Sequence, residues 1–107
     1  MVYRALMVMR MNPENAEQVA AAFAEHDRTT LPVEIGANRR TLFRFHDLYL
    51  HLIEADEDIM ASLYRAREHP VFRKTNDRLS GLLTPYAPDW TELKDSKAEA
   101  FYTWEAD

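Results

Sequence analysis

The chain has 107 residues, a formal charge of −5, no cysteine and two glycines. That length makes one domain, residues 1–107, able to bury about two-thirds of the surface its unfolded chain exposes. The acidic balance excludes nucleic acid as the main partner, the missing thiols exclude disulfides and cysteine chemistry, and the glycine count leaves no phosphate-cradling loop.

No apolar run is long enough to span a bilayer, so no membrane partner is expected. The start, Met1-Val2-Tyr3-Arg4, lacks the charged-then-apolar pattern of a secretory signal, which predicts a cytoplasmic protein.

Tyr3 to Arg10 reads as a strand. It is apolar on both parities, with Leu6 and Val8 on one side and Ala5, Met7 and Met9 on the other, as in a central strand covered on both faces. Asn12-Pro13 then starts a helix: Asn12 suits the N-cap, Pro13 the first turn, and Glu14 and Glu17 the positive end of the helix dipole. Ala16, Val19, Ala20 and Phe23 fall at helical spacing and predict its buried stripe. His26 and Asp27 continue that stripe at the helix end, and Leu31-Pro32 and Gly36 close the segment.

Arg39 to Ala55 reads as a β-hairpin, two runs of aliphatic and aromatic residues around a polar break at His46-Asp47. With those two as the turn, Phe45 faces Leu48, Arg44 faces Tyr49, and Leu42 faces His51. Cross-strand partners share a face of the sheet. One face then carries Thr41, Phe43, Phe45, Leu48, Leu50 and Leu52, and is almost purely apolar. The other carries Arg40, Leu42, Arg44, Tyr49, His51 and Ile53, with Arg40 diagonal to His51.

Asp56 is placed to cap a helix running through Ile59, Leu63 and Ala66, and Pro70 restarts a second one with Phe72, Leu79 and Leu83 inward. Thr84 to Trp90, with two prolines three apart, predicts an irregular loop. Ala98 to Glu105 predicts a last strand, with Phe101, Tyr102 and Trp104. The order β-α-β-β-α-α-β implies an α+β, ferredoxin-like βαββαβ sandwich with a split second helix and helices on one face of an antiparallel sheet.

The apolar hairpin face needs a cover. Burying five large side chains is worth on the order of 10 kcal/mol before association costs. A twofold homodimer, sheet against sheet, supplies that cover; the alternative is the 84–90 loop folding over it. The aromatic residues Tyr86, Trp90, Tyr102 and Trp104 are expected in the core or in that contact, or lining a flat aromatic pocket.

If the mixed face meets the helices, Arg40, Tyr49 and His51 share a space with His26 and Asp27. Histidine is the natural acid or base near neutral pH, and a guanidinium fork suits a carboxylate or enolate oxygen. The competing readings are structural: a satisfied core histidine, a helix end in solvent, and arginines paired with Glu34 or Glu54. A cation held by His26, His51 and Glu54 has no support from ligand spacing. His46 is expected in an exposed turn, and His69 as structural at the helix break. Asp56-Glu57-Asp58 is expected to cap and solvate.

Four stretches resemble the tetracenomycin-type aromatic polyketide cyclases: His46 to Asp56, Ala22-Phe23-Ala24-Glu25-His26-Asp27, Thr84 through Trp90, and Leu93-Lys94-Asp95-Ser96-Lys97-Ala98-Glu99. The resemblance covers essentially the whole chain. It implies a small dimeric α+β barrel protein of type II polyketide pathways, making antibiotics or spore pigments, that needs no cofactor; no metal is expected, from the ligand spacing above. Such a protein guides a late aldol-type ring closure, with loss of water, on a partly cyclised poly-β-ketone. The implied partners are that aromatic polyketide intermediate, a second copy and other synthase components. The family's pocket maps onto His26, Asp27, Arg40 and His51. His51 is then expected as general acid or base, His26 oriented by Asp27 as second proton carrier, and Arg40 as holder of an enolate or carboxylate oxygen. Tyr49, Phe23, Arg44 and Ile53 are the expected substrate contacts. Two rivals remain: a cofactor-free monooxygenase of the same fold acting on an aromatic polyketide, and a non-catalytic polyketide-binding dimer.

Overall fold

The computed structural model describes residues 3–106. Strand β1 (Tyr3–Met11) leads through one 3-10 turn (Pro13–Asn15) into helix α1 (Ala16–Asp27). Asn12 caps that turn, its side chain accepting from the Glu14 amide at 3.0 Å. A short helix α2 (Leu31–Ile35) follows, then strands β2 (Ala37–Phe45) and β3 (Leu48–Ala55), helices α3 (Met60–Ala66) and α4 (Pro70–Leu79), and the two-residue strand β4 (Leu83–Thr84). The four strands form one antiparallel sheet in the order β2-β3-β1-β4, the ferredoxin-like arrangement.

The hairpin register is the one expected: Phe45 pairs with Leu48, Arg44 with Tyr49, Leu42 with His51 and Arg40 with Ile53. His46 carries the turn with a left-handed backbone, φ 54°, a conformation histidine tolerates better than bulkier or β-branched residues do. The mixed face of the hairpin looks inward. Along β3 burial alternates strictly, with Tyr49, His51, Ile53 and Ala55 buried and their neighbours half-buried. From β1, Ala5 and Met7 join the same layer beneath the helices.

Several expectations change. The buried residues of α1 are Val19, Ala22 and His26, and Ala20 is exposed. Helix α3 begins at Met60 rather than at Asp56; Asp58 accepts from the Met60 amide at 2.9 Å, while Asp56 accepts from Asn38. Leu31-Pro32 is not a plain break but opens the helical turn α2, ended by Gly36 at φ 106°. There an added Cβ would be strained at that dihedral and would lie a tight 3.3 Å from Ile59 Cγ2. Leu83 lies not on a helix but in β4, paired with Met11.

The largest correction concerns residues 98–105, which form no strand. Lys97 makes a single bridge to Met7, and the Ala98 amide donates to the Leu6 carbonyl at 2.7 Å. Beyond it the chain has no strand partner among the described residues, and Phe101 is 95%, Tyr102 78% and Trp104 73% exposed. Aromatic residues favour a pleated, half-covered surface, and the short β4 takes the place beside β1 near Met11 that completes the four-stranded order.

The loop at 84–90 meets the outer sheet face at Arg10. Arg10 stacks on the Tyr86 ring at 4.4 Å and donates to its carbonyl oxygen, and Tyr86 lies against Trp90. Phe43 and Phe45 stay 50% and 61% exposed.

Candidate active site

Between the sheet and the helices lies a cavity of about 200 Å³. Its walls are mostly apolar, including Met7, Ile35, Ile53, Leu63 and Phe72. It adjoins a groove of about 550 Å³ through shared residues Met9, Phe72, Asn76, Leu93 and Ser96. The ionisable side chains lining the cavity are His26 from α1, Arg40 from β2, and Tyr49 and His51 from β3. Residues read from separate parts of the sequence thus meet in one space, because the hairpin presents alternate residues inward and α1 ends above them.

The polar groups form a chain. Asp27 accepts three hydrogen bonds from Arg40, two from Nε at 3.1 and 3.2 Å and one from Nη2 at 2.9 Å. The third nitrogen, Nη1, reaches His51 Nε2 at 2.8 Å. His51 Nδ1 lies 3.0 Å from the Tyr49 hydroxyl. An arginine has only donors, so Nε2 of His51 accepts. The neutral ring therefore carries its proton on Nδ1 and donates to the Tyr49 oxygen. Burial first, then the Arg40 charge, push the His51 pKa down to about 3, which keeps that ring neutral at ordinary pH. Burial also pushes the Tyr49 phenol well above its usual range.

His26 is held differently. Asp27 does not orient it, since that carboxylate is committed to Arg40. Instead His26 Nδ1 lies 3.2 Å from Thr75 Oγ1 of α4. The Thr75 hydroxyl donates to the Val71 carbonyl at 3.1 Å, so its oxygen accepts from His26 Nδ1–H. The lone pair of His26 is then on Nε2. Burial and, second, the Arg40 charge hold this imidazole below its ordinary pKa, with Asp27 opposing them. Thr75 is legible only in the structure, since a threonine in a polar helix carries no distinctive signal.

Phe23 packs between these groups, its ring 5.1 Å from His51, 6.5 Å from His26 and 4.6 Å from the Arg40 guanidinium. Phe23, Tyr49 and Ile53 all line the cavity. Arg44 does not. It shares the parity of Arg40 but lies near the hairpin turn, exposed, and donates to the Pro13 carbonyl at 3.2 Å. His46 is exposed, and His69 caps α4 by accepting from the Val71 amide. Among the described residues no group of three or more His, Cys, Asp or Glu could hold a metal ion.

Fold and site together define a small α+β domain with two histidines, a tyrosine and an arginine gathered in an apolar cavity. A family profile for polyketide synthesis cyclases matches residues 3–105. Tetracenomycin F2 cyclase of Streptomyces glaucescens is 70% identical over 106 residues, covering 99% of this chain and 97% of that protein. An uncharacterised protein of Streptomyces coelicolor is 44% identical over 106 residues, covering 97% and 96%. The solved structure of the Streptomyces glaucescens enzyme, described as a type II polyketide cyclase, superposes with a TM-score of 0.94 over 98% of this chain and 99% of that one. A putative antibiotic biosynthesis monooxygenase from Caulobacter crescentus shares the fold at a TM-score of 0.58 and 14% identity, over 77% of this chain and 78% of that one. The chain belongs to the polyketide synthesis cyclase family.

Proposed function

We propose that this protein is a cofactor-independent aromatic polyketide cyclase that closes a late ring by aldol condensation and dehydration. The observation that carries the reading is the pairing, across one apolar cavity, of a basic imidazole on the helix side with a donor string on the sheet side. His26 offers a lone pair to an acidic C–H between two carbonyls. The string Asp27–Arg40–His51–Tyr49 offers positive charge and hydrogen-bond donors to the carbonyl oxygen under attack, where negative charge develops. The apolar walls fold and hold the rest of the molecule, and that positioning alone favours one ring over others. A partly cyclised aromatic polyketide is larger than the inner cavity, and the adjoining groove supplies the remaining room.

The working form is a homodimer. Phe43 and Phe45, with Leu48, Leu50 and Leu52, form an apolar outer sheet face on which both phenylalanines stay exposed. A second copy and, beyond it, other components of a type II synthase are the protein partners we infer. No helix among the described residues is long and apolar enough to cross a membrane, and we infer a cytoplasmic protein.

The test is turnover of tetracenomycin F2, the compound in the relative's name, with and without oxygen, followed by mass and absorbance. Loss of one water independent of oxygen is expected. Gain of oxygen only in air moves the protein to the monooxygenases, and binding without turnover makes it a carrier of the intermediate.

A further inference from the structure

We propose that Tyr49, not His51, is the catalytic acid that touches the substrate, and that His51 is a positioning residue acting through it. The inference rests on the cyclase reading above and follows from counting protons around one ring. Both nitrogens of His51 are engaged, Nε2 with Arg40 at 2.8 Å and Nδ1 with the Tyr49 hydroxyl at 3.0 Å. Arginine cannot accept, so the alternative in which Tyr49 donates to Nδ1 would leave the imidazole with no proton on either nitrogen. A doubly protonated ring would set an N–H against the Arg40 N–H at 2.8 Å. Only the Nδ1–H tautomer fits, and it makes the Tyr49 oxygen an acceptor.

The phenol proton of Tyr49 is then uncommitted. Among the described residues the hydroxyl has no partner other than His51, although the residue is only 3% exposed. The side chain lines the cavity. A buried hydroxyl proton with no protein acceptor is a donor left for the ligand. The Nδ1–H of His51, backed by Arg40, stabilises the phenolate that forms when that proton leaves.

The chemistry closes on two groups. A C–H bond between two carbonyls breaks and its proton moves to His26 Nε2. The freed electron pair forms the new carbon–carbon bond to a second carbonyl carbon. The π pair of that carbonyl moves onto its oxygen, which takes the Tyr49 proton. The phenolate then removes the second proton from the same methylene carbon, and the new hydroxyl leaves as water with the proton His26 had taken. Tyr49 and His26 return to their starting states, with no oxidant, reductant or co-reactant consumed.

The full chain carrying Tyr49→Phe keeps the ring and loses only the hydroxyl. With tetracenomycin F2 as substrate, kcat is expected to fall roughly a hundredfold or more, with KM nearly unchanged. His51→Asn, which keeps a donor near the Nδ1 position, is expected to fall less. Replacing Tyr49 by a fluorinated tyrosine, a stronger acid of nearly the same shape, is expected to change kcat at fixed pH in step with the phenol's acidity, with KM nearly unchanged. The other titratable groups lining the cavity are His26, His51 and Arg40, and none carries the fluorine. Wild-type kcat in Tyr49→Phe, or a kcat unchanged by the fluorinated residue, overturns the assignment. If Tyr49→Phe fails to fold, the fluorinated protein decides alone. Absence of turnover by the wild type defeats the cyclase reading itself, a different failure.

Discussion

Asp27 and Arg40 are joined by three hydrogen bonds of 2.9 to 3.2 Å, one residue at the end of a helix and the other on the outermost strand of the sheet. The pair ties the two layers together at the rim of the cavity and aims the remaining guanidinium nitrogen at His51. The Asp27 side chain is 39% exposed and that of Arg40 15%, so the bond matters more for aim than for stability.

Asp27→Asn should therefore change stability by about 1 kcal/mol or less, while kcat falls roughly tenfold to a hundredfold as Arg40 and the His51 ring lose their fixed geometry. Thermal melting alongside steady-state kinetics checks both halves. A melting temperature that drops in step with activity would make the pair a structural clamp alone.

The buried histidines predict an acid-sensitive fold. Below an ordinary histidine pKa of about 6.5 the unfolded chain takes up protons that folded His51, with its pKa near 3, refuses. The unfolded state then binds more protons, so stability falls as pH drops from about 6.5 toward 3 and is unaffected by this ring above that range. The loss from His51 approaches the order of 5 kcal/mol at the acid end, at about 1.4 kcal/mol per pH unit. His26, also lowered, adds in the same direction. Urea unfolding between pH 7.5 and 4.5 should show the slope, and His51→Gln should flatten it.

The outer sheet face predicts a dimer that a single charge disrupts. Phe43→Glu or Phe45→Glu places a carboxylate on the exposed apolar surface without touching the cavity. Light scattering should give twice the chain mass for the wild type and a shift toward the monomer for either variant. A wild-type mass of one chain would leave the face without the cover proposed for it.

The hairpin was legible in the sequence because the period of two and a two-residue break leave one register that puts every apolar residue of Phe43–Leu52 on consistent faces. Arg40, Tyr49 and His51 could be placed together for the same reason, and His26 because it continues an apolar stripe. The partners of these residues were not legible. Whether Asp27 turns to His26 or to Arg40 depends on how α1 crosses the sheet, and helical spacing says nothing about that angle. Thr75 enters the site only because α4 lies beside α1. The tail was misread since Phe101, Tyr102 and Trp104 have strand character, while pairing depends on a neighbour that local pattern cannot supply. Leu83 sits where helical period and a two-residue strand are indistinguishable.

The ionisable groups of the cavity come from the hairpin and α1, while Ile35 of α2 and Leu63 of α3 line it with aliphatic carbon alone. Exchanging Ile35 or Leu63 for smaller or larger aliphatic residues is expected to alter the room a ligand has without removing any of those groups. The shape of the product and the rate of its formation should then vary independently.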